Sequence, residues 1–199
     1  MKTYRIHLIR HGEIEGNTAG KYVGRTDLPL TEQGREEIRK LAKSGVYPEV
    51  DLVFSSPMER CLETADIIYP ETDPVIIDEL RECDFGDFEG RTAEDLKELP
   101  EFTEWIAGRA DPPHGEGTVE FAKRIAVGFN RVVRAMMELH ETEAAVILHG
   151  GVMMMLFAAC AVPRKKIFDW ATDNGRGYTV TVTPSLYQRT GVIEVTGEI

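Results

Sequence analysis

At 199 residues, with 42% apolar and 29% charged, the chain has the size and balance of one compact domain, residues 1–199, with a single sizeable core. Its net charge of −11 argues against nucleic acid or an anionic membrane as partner, and makes any phosphate pocket a local positive island in a negative field. Three widely spaced cysteines, Cys61, Cys83 and Cys160, argue against a disulfide framework, and with no CxxC pair there is no thiolate zinc site.

In chain order, Tyr4, Ile6, Leu8 and Ile9 form a β-prone apolar run that stops on Arg10-His11-Gly12-Glu13. A strand ending there delivers a guanidinium and an imidazole to the carboxyl edge of a sheet, where open α/β folds hold ligands. Arg10 offers a planar permanent charge suited to phosphate, and His11 a nucleophile or proton carrier near neutral pH. Gly12 removes a side chain that would crowd a ligand near the backbone. Taken alone, these residues read as a solvated Arg-His pair. His7 and His11 have the i, i+4 spacing of helical zinc ligands, but that spacing converges only on a helix, and the residues between them are β-prone. No catalytic metal and no cofactor are expected.

Residues 12–30 are too rich in glycine and polar residues to be regular. Thr31 caps a helix with Ile38 and Leu41 on one face, which Gly45 stops. Residues 51–54 read as a strand, and Ser56 as the cap of a helix over 57–69 that begins at Pro57, with Arg60 in its first turn. A helix start carrying an arginine is a natural anion site. A short strand over 75–77 leads to Glu82, and Thr92 with Asp95 marks the capping box of a short helix.

Trp105 is placed on a short helix, and residues 111–115 break regular structure. Thr118 is read as the cap of the longest helix, to about His140, from the helical recurrence of Phe121, Ile125, Phe129, Val132, Val133 and Met136. Strand 145–148 runs into His149-Gly150-Gly151. The apolar run 152–162 follows; at about 11 residues it is well short of the roughly 20 needed to span a bilayer, so its methionines read as core. Two strands, 178–183 and 192–195, flank a polar turn. This alternation predicts a largely parallel sheet covered by helices on both faces. The N-terminal run lacks the length of a signal-peptide core, and the protein is expected in the cytoplasm.

Several stretches together resemble a known family. Leu8 to Glu13 with Asn17, Gly24 to Gly34, Ser55-Ser56-Pro57 through Arg60 to Thr64-Ala65, Glu82 with Gly86 and Glu89-Gly90, and His149-Gly150-Gly151 are similar, in order, to the motifs of the histidine phosphatase superfamily, which includes cofactor-dependent phosphoglycerate mutases. The resemblance covers residues 4 to about 152. It implies a three-layer α/β/α sandwich of the phosphoglycerate mutase-like kind, with His11 as the phosphorylated nucleophile and Glu82 as proton donor and acceptor.

The residues support the same chemistry independently. A phosphate monoester presents about two negative charges, and phosphoryl transfer spreads charge over the equatorial oxygens. Arg10, Arg60 and His149 are candidates to stabilise them, with Asn17 as a neutral donor. His11 could form a covalent intermediate. Glu82 is preferred as the acid, although Glu79, Asp84, Asp87 and Glu89 crowd the same segment and read as a solvated acidic loop. His7 reads as structural, and His114 and His140 as exposed. Glu116 stands where relatives often have glutamate followed by serine, but here Gly117 follows.

The expectation is therefore a metal-independent phosphatase acting on a small phosphorylated metabolite. A phosphoglycerate mutase, or a phosphate-binding module without turnover, is the alternative. The middle segment Arg109-Ala110-Asp111-Pro112-Pro113-His114 lacks the mutases' basic cluster. The run from Glu82 to Gly90 is similar to the phosphatase branch that includes α-ribazole phosphatases, so α-ribazole 5'-phosphate heads the implied substrates. Oligomeric state is open, a homodimer being one arrangement.

Overall fold

The computed structural model describes residues 3–199. Its strands are β1 (Tyr4–Arg10), β2 (Val53–Ser55), β3 (Val75–Ile76), β4 (Glu143–Leu148), β5 (Ala161–Val162), β6 (Gly177–Val182) and β7 (Ile193–Glu198). Its helices are α1 (Glu15–Thr18), α2 (Glu32–Lys43), α3 (Glu59–Ile68), α4 (Ala93–Leu96), α5 (Pro100–Ile106), α6 (Thr118–Leu139), α7 (Gly150–Cys160) and α8 (Pro184–Thr190).

The strands form one seven-stranded sheet in the order β3-β2-β4-β1-β6-β7-β5. Strands β3, β2, β4 and β1 pair parallel, as do β7 and β5. Strand β6 pairs antiparallel with both its neighbours, so it alone runs against the rest.

The two faces follow from the period-2 alternation of a strand. On one side Ile6 and Leu8 of β1, Phe54 of β2 and Ala144, Val146 and Leu148 of β4 pack with Phe121, Ile125, Phe129, Val132 and Met136 of α6 and with α7. On the other, Ile9, Val53, Ala145 and Ile147 pack with Cys61 and Ala65 of α3 and with Tyr47 and Tyr69. Burying each large apolar side chain contributes roughly 1.5–3 kcal/mol relative to leaving it exposed. The result is the three-layer sandwich. Strands β1 and β4, in register from Arg5↔Glu143 to Arg10↔Leu148, lie at its centre, so the residues that follow them emerge side by side.

Local chemistry explains most boundaries. Thr31 Oγ1 accepts from the Gly34 amide at 2.9 Å, and Gly45 leaves the end of α2 at φ 73°. Thr92 and Asp95 form the reciprocal capping box of α4. Several expectations are corrected, the first being that residues 12–30 are irregular, since α1 stands among them at Glu15–Thr18. Helix α3 starts at Glu59, because its first amide is capped by Asp27 Oδ1 at 2.9 Å, while Ser56 Oγ reaches only the Met58 amide at 3.4 Å. Helix α6 has Gly117 as N-cap, and the Thr118 amide donates to Asp111 Oδ1 at 2.7 Å, so an acid seven residues upstream replaces the threonine. The connection from β6 to β7 contains helix α8, with Pro184 at its first position, rather than a polar turn. Strand β5 is a two-residue addition that only its pairing with β7 defines. Among the described residues, no helix is long and apolar enough to cross a membrane.

Candidate active site

At the carboxyl ends of β1 and β4 the structure brings together Arg10, His11, Asn17, Arg60, Glu82 and His149. Strand β1 supplies Arg10 and, one residue on, His11. The start of α3 supplies Arg60, and the end of β4 supplies His149 as N-cap of α7. The two imidazoles meet edge to face with ring centroids 5.2 Å apart.

His11 is held in one tautomer. Its Nδ1 lies 2.7 Å from the Gly12 carbonyl, which can only accept, so Nδ1 carries the proton and Nε2 keeps its lone pair. Burial, followed by the nearby Arg60 charge, holds its pKa well below the usual histidine range, against the raising effect of the Gly12 carbonyl. His11 is thus a neutral imidazole with a free nucleophilic nitrogen. The Gly12 carbonyl also accepts from Asn174 Nδ2 at 3.2 Å, and the Gly12 amide donates to Thr64 Oγ1 at 3.0 Å, which fixes the loop from α3. A Cβ on Gly12 would lie 2.9 Å from Ile38 Cγ1 and 3.2 Å from Leu30, so this glycine serves packing under the loop rather than ligand approach.

Arg60 is completely buried. Its Nη1 and Nη2 donate to the carbonyls of Thr26 at 3.0 Å and Gly24 at 2.9 Å, and its Nε donates to His149 Nδ1 at 3.2 Å. His149 Nδ1 must then be unprotonated, so Nε2–H donates to Ser56 Oγ at 2.8 Å. Burial, then Arg60, lowers the His149 pKa well below the normal value. In this arrangement His149 is a neutral aligner of Arg60 and not the fixed cation that the sequence suggests. Arg10 Nη1 donates to the Thr172 carbonyl at 2.5 Å, and Arg10 Nε is buried with no hydrogen-bond partner among the described residues. An unsatisfied buried donor among cations is ready to donate to an anionic oxygen.

Glu82 is buried too. Its Oε1 accepts from the Cys83 amide and its Oε2 from the Gly151 amide at the start of α7, both at 2.9 Å. Burial raises its pKa and outweighs the lowering by those two amides and by Arg60 and Arg10. The Gly150-Gly151 pair makes this arrangement possible: a Cβ on Gly151 would lie 2.5 Å from Glu82 Oε1, and one on Gly150 would lie 3.3 Å from Arg10 Nε.

Asn17 accepts through Oδ1 from the Ile14 amide at 3.2 Å and from Asn174 Nδ2 at 3.1 Å, which turns its own amide hydrogens away from both. The other carboxylates of the Glu82 segment point elsewhere. Glu79 pairs with Arg131, Asp87 with the exposed His114, and Asp84 Oδ1 accepts from Gly86. Glu89 is no solvated acid: it accepts from the amides of Gly24, Arg25 and Phe85 and from Thr26 Oγ1, and so shapes the loop whose carbonyls hold Arg60. His7 bridges Thr179 and Glu143 at the far side of the site, a structural role.

Ser56 and Asn174 are site members that the sequence alone did not single out for this; the Ser55-Ser56 pair was the available signal for the first, and nothing local marks the second. Among the described residues, no group of three or more His, Cys, Asp or Glu side chains is placed to hold a metal ion.

A largely parallel α/β sandwich carries guanidinium groups, a neutral imidazole with one unprotonated nitrogen and a buried carboxyl at the carboxyl edge of its sheet, a set suited to phosphoryl transfer. The chain belongs to the histidine phosphatase superfamily (branch 1), whose sequence model matches residues 6–190. It is 33% identical over 179 residues to the adenosylcobalamin/α-ribazole phosphatase of Escherichia coli, covering 86% of each chain. It is 32% identical over 155 residues to a putative phosphoserine phosphatase 2 of Hydrogenobacter thermophilus, covering 75% of this chain and 74% of that one. The crystal structure of a putative α-ribazole-5'-P phosphatase from Escherichia coli superposes with a TM-score of 0.80 at 28% identity, over 98% of this chain and 95% of the other.

Proposed function

We propose that the protein hydrolyses a small phosphate monoester through a phosphohistidine on His11, without a metal, and that α-ribazole 5'-phosphate is its substrate. The observation that carries the chemistry is the His11 Nδ1–Gly12 carbonyl bond, which leaves Nε2 unprotonated on a ring that feels the charges of Arg60 and Arg10. In the first step Nε2 attacks phosphorus, the bond from phosphorus to the leaving oxygen breaks, and protonated Glu82 gives that oxygen its proton. In the second, Glu82 as carboxylate takes a proton from water, the water oxygen bonds to phosphorus, and the P–N bond breaks to release phosphate. Arg10 and Arg60 hold the equatorial oxygens, with the Asn17 amide as a further donor, and supply the charge that a metal would otherwise bring. His149 keeps Arg60 aligned. The raised pKa of Glu82 suits a group that must hold a proton near neutral pH.

The choice of substrate rests on likeness to enzymes named for α-ribazole phosphate. The phosphatase outcome, rather than a mutase, is favoured by Arg109, the one arginine of the middle segment, whose guanidinium is paired with Glu104 through two hydrogen bonds. The test is release of inorganic phosphate from α-ribazole 5'-phosphate, phosphoserine and 3-phosphoglycerate, with and without exhaustive chelation. The expected result is preferred hydrolysis of the first, unaffected by chelator. Isomerisation of phosphoglycerates dependent on 2,3-bisphosphoglycerate, with little phosphate release, would overturn the reading.

A second expectation arises from the glycine pair. Gly151→Ala forces the Glu82 carboxyl to move, because the new methyl would occupy its place. Turnover should fall by about 100-fold, the cost of a displacement near 1 Å, with KM nearly unchanged. A variant with normal turnover would show that the position of the Glu82 carboxyl does not matter to the reaction.

A further inference from the structure

Outside the cluster, near the start of α6, Arg124 uses all five N–H groups of its guanidinium. Nη1 donates to the carbonyls of Glu79 at 2.8 Å and Arg81 at 2.9 Å, and Nη2 to the Glu82 carbonyl at 3.3 Å. The remaining two bonds, from Nε at 2.7 Å and Nη2 at 2.5 Å, go to the two oxygens of Glu116. Both side chains are mostly covered, at 18% and 12% exposure, and the guanidinium carbon lies 5.1 Å from the centre of the Phe121 ring.

These bonds converge where the chain leaves the 3-10 turn Asp78–Leu80 and enters the site. The three carbonyls belong to a stretch that is neither strand nor regular helix, so its path depends on an outside donor. Glu82 projects from this stretch, and its carboxyl is seated by the neighbouring Cys83 amide and by Gly151. The segment holding Glu116 is also stapled across the residues beyond Glu82. The Glu116 amide donates to the Asp84 carbonyl at 2.8 Å, and the Asp87 amide to the Pro113 carbonyl at 3.0 Å. Gly86, at φ 53°, permits that approach, since a Cβ there would lie 2.1 Å from the Pro113 oxygen.

We infer that Arg124, oriented by Glu116, is a positioning residue for the Glu82 carboxyl, holding the backbone from which it reaches the leaving oxygen. This rests on the reading of Glu82 as the acid. An ammonium cannot replace Arg124, because one lysine nitrogen cannot serve three carbonyls and a bidentate carboxylate together. A misplaced Glu82 slows phosphoryl transfer from substrates whose leaving group needs a proton and leaves that step nearly untouched for an activated aryl ester, while the second step, in which Glu82 takes a proton from water, suffers alike for both.

The experiment compares an alkyl phosphate with 4-nitrophenyl phosphate in Arg124→Met, Arg124→Lys, Glu116→Gln and Glu82→Gln, with circular dichroism and thermal melting as controls of folding. For Arg124→Met, kcat on the alkyl ester should fall by about 100-fold, while phosphoryl transfer from the aryl ester to His11, read as the pre-steady-state burst of 4-nitrophenolate, stays within about threefold of the parent, the same pattern as Glu82→Gln. Arg124→Lys and Glu116→Gln should show the same selectivity at smaller size, and they carry the test if Arg124→Met does not fold. If Glu82→Gln is selective but the Arg124 and Glu116 variants lose both substrates equally, or neither, the positioning role is overturned. If Glu82→Gln itself is not selective, the acid assignment falls, and this inference with it.

Discussion

Replacing His11 by alanine should lower turnover by at least about 10⁴-fold, the scale on which loss of a covalent nucleophile acts. The fold should survive, because among the described residues the His11 ring makes one hydrogen bond, to its neighbour Gly12, and the Gly12 carbonyl keeps its Asn174 donor. Rapid quench of the parent enzyme with a labelled substrate should trap an acid-labile, base-stable phosphoryl group, absent from the variant. Since burial and Arg60 hold the His11 pKa well below the normal value, the nucleophile stays neutral through mild acid. Protonation of His11 should therefore not cause the loss of activity that an ordinary histidine would show near pH 6.5. A folded His11→Ala enzyme that keeps normal turnover, or that still labels, would remove His11 from the mechanism.

The second large effect is expected for Arg60→Lys, which should lose on the order of 10³-fold in kcat/KM, as removal of a transition-state arginine does. The charge is kept, so the loss isolates geometry. A single ammonium cannot contact the Gly24 and Thr26 carbonyls, meet His149 and still face a phosphoryl oxygen. Each buried acceptor left unpaired should also cost about 1–3 kcal/mol of stability, visible as a lower melting temperature. Inhibition by inorganic phosphate should weaken in parallel. An Arg60→Lys enzyme with near-normal kcat/KM and phosphate inhibition would show that Arg60 is only a structural tie between α3 and the 24–26 loop.

The elements best read from sequence were those with a local cause. The α2 cap at Thr31, the capping box at Thr92 and the α6 stripe from Phe121 to Met136 each depend on residues within a few positions of one another. The boundaries that moved were set by partners far away in sequence. Asp27 caps α3 across 32 residues, and β5 exists only because β7 lies beside it. The same division runs through Gly12 and the Gly150-Gly151 pair. Their identity was legible, but the neighbours that require them are Ile38, Leu30, Arg10 and Glu82.

For the site, the sequence by itself placed Arg10, His11 and His149 at strand ends and marked neither the Ser56 bond to His149 nor Asn174. Apolar runs ending on Arg10-His11 and on His149 fix those groups at strand ends, because strand alternation and the turn that follows are local properties. Tertiary structure decided the state of each group. Whether His11 is nucleophilic depends on which nitrogen meets a carbonyl, and whether His149 is a cation or a neutral aligner depends on Arg60 arriving from another element. Glu82 is separated from four nearby carboxylates only by burial and by an amide of α7, 69 residues away. Protonation and hydrogen-bond direction are set by distances of a few ångströms between segments remote in the chain, and those distances come into being only when the sheet brings β1 and β4 side by side.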